Sequence, residues 1–334
     1  MIMVSSKDVA KLAGVSQSTV SRVLNDPSRV SKPALERVKK AMEELNYRPN
    51  SIARSLVQNR TKSIALISGP LHNPFFVETT TAIVNYASSQ GYNVNVHFEN
   101  MGDSMKSLYN SVMSHRVDGL ILSSIFYEDP IFEELTSHGI PFVMFNRKHR
   151  NPGNFVEIDN EKAGRLAVEH LLQLGHTKIA WIGGTLETST FYGRYKGYHD
   201  MLKAHSIESP DNYVQVTSTS RLAVYEALSS IMAHKNRPTA IFAATDSIAS
   251  FAMDYLLEKD YSIPEDISII GMDNVEFAAH QAIQLTTVGP KNGANLGQLA
   301  IEQLIKLIDA ENESKPIQIT VEPELIVRKT TKSL

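Results

Sequence analysis

Apolar residues recur at helical spacing through the first fifty positions. They then give way to short apolar runs separated by longer amphipathic stretches. Val9, Ala10, Leu12 and Val15 form one inward stripe and Val20, Val23 and Leu24 a second, with Gly14 between them where the chain must bend. The pattern predicts two short helices joined by a tight turn. Ser5 followed by Asp8 reads as a capping-box start, and Ser16 as the N-cap of the second helix. A third helix is predicted from Ser31, with Pro33 in its first turn, where a missing N–H does no harm. Leu35, Val38, Met42 and Leu45 would close a three-helix core. Asn50 can cap one more helix, Ser51–Val57, whose seven residues are too few to hold in isolation because nucleation costs more than so few bonds return. That piece is expected to be disordered alone and to fold only when binding partners order it.

From Lys62 the grammar becomes alternating. Ser63–Ser68, Val94–Phe98, Leu120–Ser123 and Phe142–Phe145 read as strands, with helices around 76–90, 103–115 and 129–138. Further strands are expected at Lys178–Ile182, Thr239–Ala243 and Ile267–Ile270, again with helices between. Such alternation implies parallel sheets flanked by helices. Residues 61–69 (TKSIALISG) echo residues 177–184 (TKIAWIGG), and Gly139-Ile140-Pro141 echoes Ser262-Ile263-Pro264. The body is therefore read as two α/β lobes of related topology, with a cleft at the carboxyl ends of their strands.

Charge divides the chain in the same place. Residues 1–60 carry eleven Lys and Arg against five Asp and Glu, a balance of +6; the whole-chain charge of −3 leaves −9 on residues 61–334. A basic head on an acidic body is expected where only the head meets phosphate. The second helix turns Gln17, Ser18 and Arg22 outward, and amide, hydroxyl and guanidinium are the groups that read base edges in a major groove. Length permits more than one domain and a large core. Cysteine is absent, which removes disulfides, thiolate nucleophiles and Cys-based zinc sites. The start lacks the signal-peptide pattern and no apolar run approaches about twenty residues, so a cytoplasmic location without a membrane span is expected. An enzyme is disfavoured: the glycines after the body's first strands fit neither the dinucleotide nor the nucleotide loop, and no nucleophile elbow or paired metal-ligand histidines appear. A secreted solute-binding protein, which shares the two-lobed plan, is disfavoured by the basic head. No cofactor and no metal site is read.

Taken together, Asp8-Val9-Ala10, Gly14-Val15-Ser16, Thr19–Val23, Asn46-Tyr47, Pro49-Asn50 and Ala53–Leu56 resemble the lactose and galactose repressor family. The likeness continues through Val117–Ile121, Leu174-Gly175-His176, Gly193-Arg194, Gly197-Tyr198, Thr245-Asp246 and Ile270-Gly271 with Asp273-Asn274, so it spans essentially the whole chain. It implies a small all-α helix-turn-helix head on a two-lobed, periplasmic-binding-protein-like α/β body with parallel sheets. The expected domains are 1–48 for DNA binding, 49–61 for a hinge helix and linker, and 62–334 for effector binding and dimerisation. The body's N-lobe would take about 62–159 and 291–321, its C-lobe 160–290 and 322–334. Membership further implies a regulator of the repressor kind that binds a near-palindromic double-stranded operator as a homodimer and is switched by a small molecule in the cleft. Gln17, Ser18 and Arg22 would read bases, Thr19 would touch phosphate or pack, Ala53 would lie in the minor groove, and Leu56 would wedge the central base step.

For the effector, Arg194 and Asp273 are expected to hold neighbouring hydroxyls of a polyol, with Phe75 and Phe76 as an aromatic wall. Asn146 stands where many relatives carry an aspartate; Thr188, Thr190 and Asp246 are weaker candidates. Thr188 replaces an arginine of nucleobase-binding relatives, which favours a sugar or sugar derivative over a purine and leaves a sugar phosphate open. The basic run Arg147-Lys148-His149-Arg150 is read as a solvated loop.

Overall fold

A computed structural model of the chain describes residues 4–47, 60–98, 105–310 and 315–334. It divides into two compact units, Met1–Thr61 and Lys62–Leu334.

The head holds α1 (Ser6–Ala13), α2 (Gln17–Asn25) and α3 (Lys32–Glu44). The capping box forms: the Ser5 backbone N–H and hydroxyl both donate to the Asp8 carboxylate, at 2.9 and 2.7 Å. Those bonds hold the Asp8 carboxyl below its ordinary range. Gly14 ends α1 in the left-handed region at φ 62°, which a side chain would resist. Ser16 caps α2 by accepting the Thr19 N–H at 3.2 Å, whereas Ser31 precedes α3 without a side-chain cap bond. Val9, Ala10, Ala13, Val20, Val23, Val38 and Ala41 form the core. Leu12 does not join it and is 46 % exposed. At 3.6 residues per turn it lies about 100° from Ala13 and on the far side of Ala10, and those two small residues take the buried face. The proposed hinge residues Ala53 and Leu56 lie outside the described residues.

The body alternates strand and helix: β1 (Ser63–Ser68), α4 (Pro74–Ser89), β2 (Asn93–Phe98), α5 (Met105–Met113), β3 (Gly119–Leu122), α6 (Ile131–Ser137), β4 (Phe142–Phe145) and β5 (Phe155–Ile158). It crosses to the second lobe with α7 (Asn160–Gln173), β6 (Ile179–Gly183), α8 (Ser189–Ala204), β7 (Val214–Val216), α9 (Arg221–Met232), β8 (Ala240–Ala243), α10 (Asp246–Glu258), β9 (Ser268–Met272) and β10 (Thr286–Pro290). The chain returns as α11 (Leu296–Asp309) and β11 (Gln318–Val321), then crosses once more into β12 (Pro323–Ile326). One sheet runs β11-β5-β4-β3-β1-β2 and the other β12-β10-β9-β8-β6-β7. The two orders match strand for strand, so the sequence echo marks a topological one: residues 61–69 contain β1 and residues 177–184 contain β6. Among the described residues every pairing is parallel except β12 against β10.

The central strands are buried on both faces and read as unbroken apolar runs, as parallel sheets covered by helices require. In each sheet the strand order reverses at the lobe's first strand, β1 or β6, and the loops leaving the carboxyl ends converge between the lobes.

Candidate functional site

Those loops enclose a cleft of about 350 Å³, at the small end of the size range of ligand pockets. From the first lobe come Gly69 after β1, Asn73, Phe75 and Phe76 at the start of α4, Phe126 beyond β3, and Asn146 directly after β4. From the second come Gly184 after β6, Thr190, Phe191 and Arg194 in α8, Thr217–Thr219 after β7, Thr245 and Ser247 around the start of α10, and Asp273 directly after β9.

Each lobe lays one aromatic ring over a glycine. A Cβ on Gly69 would stand 2.3 Å from the Phe76 ring, and one on Gly184 would stand 2.3 Å from the Phe191 ring. Only glycine allows either phenyl to lie against the turn leaving the lobe's first strand. Phe75 adds an edge contact to Phe76, with centroids 5.3 Å apart, and stacks on Phe145 at 6.4 Å. Both adjacent phenylalanines therefore line the cleft.

The polar floor is built on Arg194. Its guanidinium donates to Asn160 Oδ1 at 3.0 Å, to the Ala244 carbonyl at 2.5 Å and to Asp273 Oδ1 at 2.8 Å. The arginine and aspartate side chains are only 2 % and 4 % exposed. Burial raises the Asp273 carboxyl against the lowering pull of Arg194. The arrangement presents a guanidinium edge and a carboxylate at one point of the wall, both held before any ligand arrives. Asn146 sits in the left-handed region at φ 61°. Its Oδ1 is buried with no hydrogen-bond partner, an orphan acceptor in a cleft otherwise rich in hydroxyls.

Two candidates face elsewhere. Thr188 is fully buried and caps α8, accepting the Phe191 N–H at 3.3 Å and donating to the Thr185 carbonyl at 3.1 Å. Asp246 lies behind the floor, accepting from the Thr287 hydroxyl at 2.6 Å and the Val275 N–H at 3.0 Å. Burial, then the charge of Asp273, pushes its carboxyl well above the ordinary range. Neither residue lines the cleft. Thr190 does, and its hydroxyl also donates across the lobes to the Asn146 carbonyl.

The basic run is not a plain solvated loop. Lys148 pairs with the buried Glu157 at 2.6 Å, Arg150 pairs with Glu128 at 2.7 Å, and His149 stacks on Phe132 with centroids 4.2 Å apart. Only Arg147 reaches the cleft. Further bonds join the lobes beside it. The Tyr127 N–H donates to the Glu187 carbonyl at 2.8 Å and the Lys148 N–H to Ser189 Oγ at 2.9 Å. The Glu276 N–H donates to Glu78 Oε1 at 2.9 Å. Sequence reasoning missed His72, Asn73, Phe126, Phe191, Thr185, Thr217–Thr219 and Ser247. The repeated Gly-to-Phe spacing, Gly69 to Phe76 and Gly184 to Phe191, was the signal for Phe191.

In the head, Gln17, Ser18 and Arg22 are exposed on α2, and Thr19 is half-buried. The Gln17 amide donates to Ser6 Oγ at 3.0 Å, which steadies the side chain at the start of α2. Ser18 and Thr19 both bond the Ser16 hydroxyl, at 2.8 and 2.9 Å.

With this geometry established, the chain matches two family models: bacterial regulatory proteins, lacI family, over residues 6–50, and periplasmic binding protein-like domain over residues 168–331. The HTH-type transcriptional repressor PurR of Mannheimia succiniciproducens is 34 % identical over 99 % of this chain and 100 % of its own. The chain belongs to the lacI family. It is a DNA-binding transcriptional regulator with a helix-turn-helix head and an effector-binding body. The PurR repressor of Vibrio atlanticus is 35 % identical over 99 % of this chain and 100 % of that one. Among solved structures, the lac repressor dimer bound to operator and the anti-inducer ONPF aligns with TM-score 0.85 and 29 % identity over 99 % of both chains. The regulator CelR in complex with cellobiose aligns with TM-score 0.72 and 28 % identity, over 98 % of this chain and 99 % of that one. Among the described residues no helix is long and apolar enough to cross a membrane.

Proposed function

We propose that this lacI-family protein is a cytoplasmic repressor that binds a near-palindromic operator as a homodimer and is controlled by a neutral sugar or sugar derivative in the inter-lobe cleft. Residues 1–48 contact DNA, residues 49–61 form the hinge, and residues 62–334 bind effector and dimerise. Gln17, Ser18 and Arg22 read the major groove and Thr19 contacts phosphate; Ala53 and Leu56 enter the minor groove at the dyad.

The observation that carries the effector class is the Arg194–Asp273 pair set among hydroxyls and phenyl rings, with the orphan Asn146 Oδ1 beside them. A guanidinium and a carboxylate fixed side by side donate to and accept from vicinal hydroxyls in one bidentate contact. Phenyl faces suit the C–H face of a sugar ring. The relative named for a cellobiose complex has the same fold. No catalytic step is assigned to the cleft. A ligand touching both lobes shifts their relative orientation by its differential affinity, a coupling of about 1–3 kcal/mol.

Calorimetric titration of the full chain with cellobiose, a galactoside, glucose 6-phosphate and hypoxanthine tests the class. The expected result is saturable binding of a neutral sugar, weakened at least tenfold by Asp273→Asn. Tight binding of hypoxanthine with no sugar bound would overturn the sugar reading.

A further inference from the structure

A second cavity lies between the lobes, behind the wall that the cleft shares with it. Its volume is about 1230 Å³, and it is lined from both sides, by Tyr127 and Asp129 of the first lobe and by Glu187 and Tyr192 of the second. The dividing wall consists of the bonds already described: Thr190 to Asn146 on the cleft side, and Lys148, Ser189 and Glu157 on the far side. Phe126 lines both spaces.

Three features give this cavity a chemical preference. Six carboxylates line it against three lysines, and every one of those lysines is already neutralised. Lys106 pairs with Glu134 at 2.7 Å, Lys148 with Glu157 at 2.6 Å, and Lys196 with Glu161 and Asp200 at 2.9 Å each. Asp129, Asp159 and Glu187 are in no ion pair among the described residues, so the surplus charge is negative. The rim is aromatic: Phe126, Tyr127 and Tyr192 are exposed, Tyr192 by 52 %. The floor holds Ser124, 1 % exposed, whose hydroxyl is buried without a hydrogen-bond partner. Carboxylates outside any ion pair, of which Asp129 and Asp159 also accept backbone N–H bonds at 3.1 and 2.9 Å, stand beside exposed phenol and phenyl faces and suit an organic cation, which gains from both. An orphan buried hydroxyl is where a ligand polar group is expected to land.

We propose that this rear cavity is a second ligand site, selective for a small organic cation bearing amino groups. The site is distinct from the cleft, and its ligand class is argued from its own lining rather than from the class of the cleft effector. An occupant contacts both lobes and rests against the Lys148–Ser189 bond that joins them. It is therefore a second input to lobe orientation, acting beside the cleft effector.

The test is isothermal titration calorimetry of the full chain with spermidine and with putrescine at constant ionic strength, using potassium chloride as the matched control. Saturable binding of at least one amine is expected. It is weakened at least tenfold in the double variant Glu187→Gln/Tyr192→Ala, whose positions are exposed and leave the core intact. The cleft variant Ser218→Ala is expected to retain it. No saturable heat with either amine, equal binding by the double variant, or an effect reproduced by potassium chloride would each overturn the proposal. Loss in Ser218→Ala with retention in the double variant would move the amine to the cleft and overturn it as well.

Discussion

Replacing Asp273 with Asn removes the negative partner of Arg194 while keeping the side chain's shape. The pair is almost fully desolvated, and breaking such a pair usually costs about 3–5 kcal/mol because one charge is left buried and uncompensated. Two features lower that figure here. Arg194 keeps its bonds to Asn160 Oδ1 and to the Ala244 carbonyl. Removing the Asp273 charge also relieves Asp246, whose carboxyl is raised first by burial and next by that charge. The expected loss is therefore about 2–3 kcal/mol. The assay is urea unfolding followed by tryptophan fluorescence. Trp181 is the chain's one tryptophan and lies fully buried in β6, so it reports on the lobe that holds the pair. With a slope of about 3 kcal/mol per M, the midpoint should fall by roughly 0.7–1 M. The double variant Arg194→Met/Asp273→Leu removes both charges but takes the donor from Asn160 Oδ1 and the Ala244 carbonyl, so it should recover only part of the stability while losing sugar binding. A midpoint shift below about 0.2 M for Asp273→Asn, or a double variant less stable than the single one, would refute the reasoning that the pair is a preorganised, desolvated unit.

Gly197→Ala should cost about 1–3 kcal/mol and weaken effector binding, since the new Cβ would stand 2.3 Å from the Glu161 carbonyl and 2.7 Å from the Arg165 nitrogen, both backbone atoms. It would force α8 away from α7 and pull Arg194 off Asn160; a melting temperature unchanged from wild type would contradict it. His170 and His176 are buried, and burial holds both imidazoles below their ordinary range. The folded state therefore binds fewer protons than the unfolded one, and their stabilisation is lost as pH falls below about 6.5. Between pH 7.5 and 5.5 the urea midpoint of the wild type should drop further than that of His170→Gln; an equal drop would remove His170 from the explanation. In the head, Ser16→Ala deletes the cap on Thr19 and should destabilise that unit by about 1 kcal/mol, read by circular dichroism melting.

The elements most legible in the sequence were those with an unambiguous period or a fixed chemistry. The capping box at Ser5 and Asp8, the left-handed Gly14 and the apolar runs of β1, β3, β4, β6, β8 and β9 all appear where residue types alone put them. The strands that escaped notice lack that signal. β7 has three residues, β5 carries the buried Glu157, β11 and β12 have four residues each, and β10 reads Thr-Thr-Val before a Gly-Pro turn signal and becomes a strand because β9 and β12 pair with it on either side. Leucine at position 12 suggests a core residue, yet an eight-residue helix buries one narrow stripe, and Val9, Ala10 and Ala13 fill it.

In the cleft, Asn146 and Asp273 could be picked out because each is the first residue beyond a strand end, whereas Arg194, within α8, was legible only through the family resemblance. Thr188 and Asp246 lie in similar stretches and turn away, one to cap a helix and one to anchor the loop after β9. That direction is set by backbone geometry, which spacing along the chain does not encode. The rear cavity was invisible for a similar reason, since its walls come from segments far apart in sequence that meet only when the two lobes are assembled.

The proposed regulator couples a DNA-reading face of α2 to the state of the cleft. The deciding measurement is selection from a randomised duplex pool with the full-length protein at fixed salt, repeated with Arg22→Ala and Leu56→Ala and with pooled neutral sugars present. A near-palindromic motif with a deformable central step is expected, lost in both variants and bound with altered affinity when sugar is added. Enrichment of no motif, with or without sugars, would contradict it.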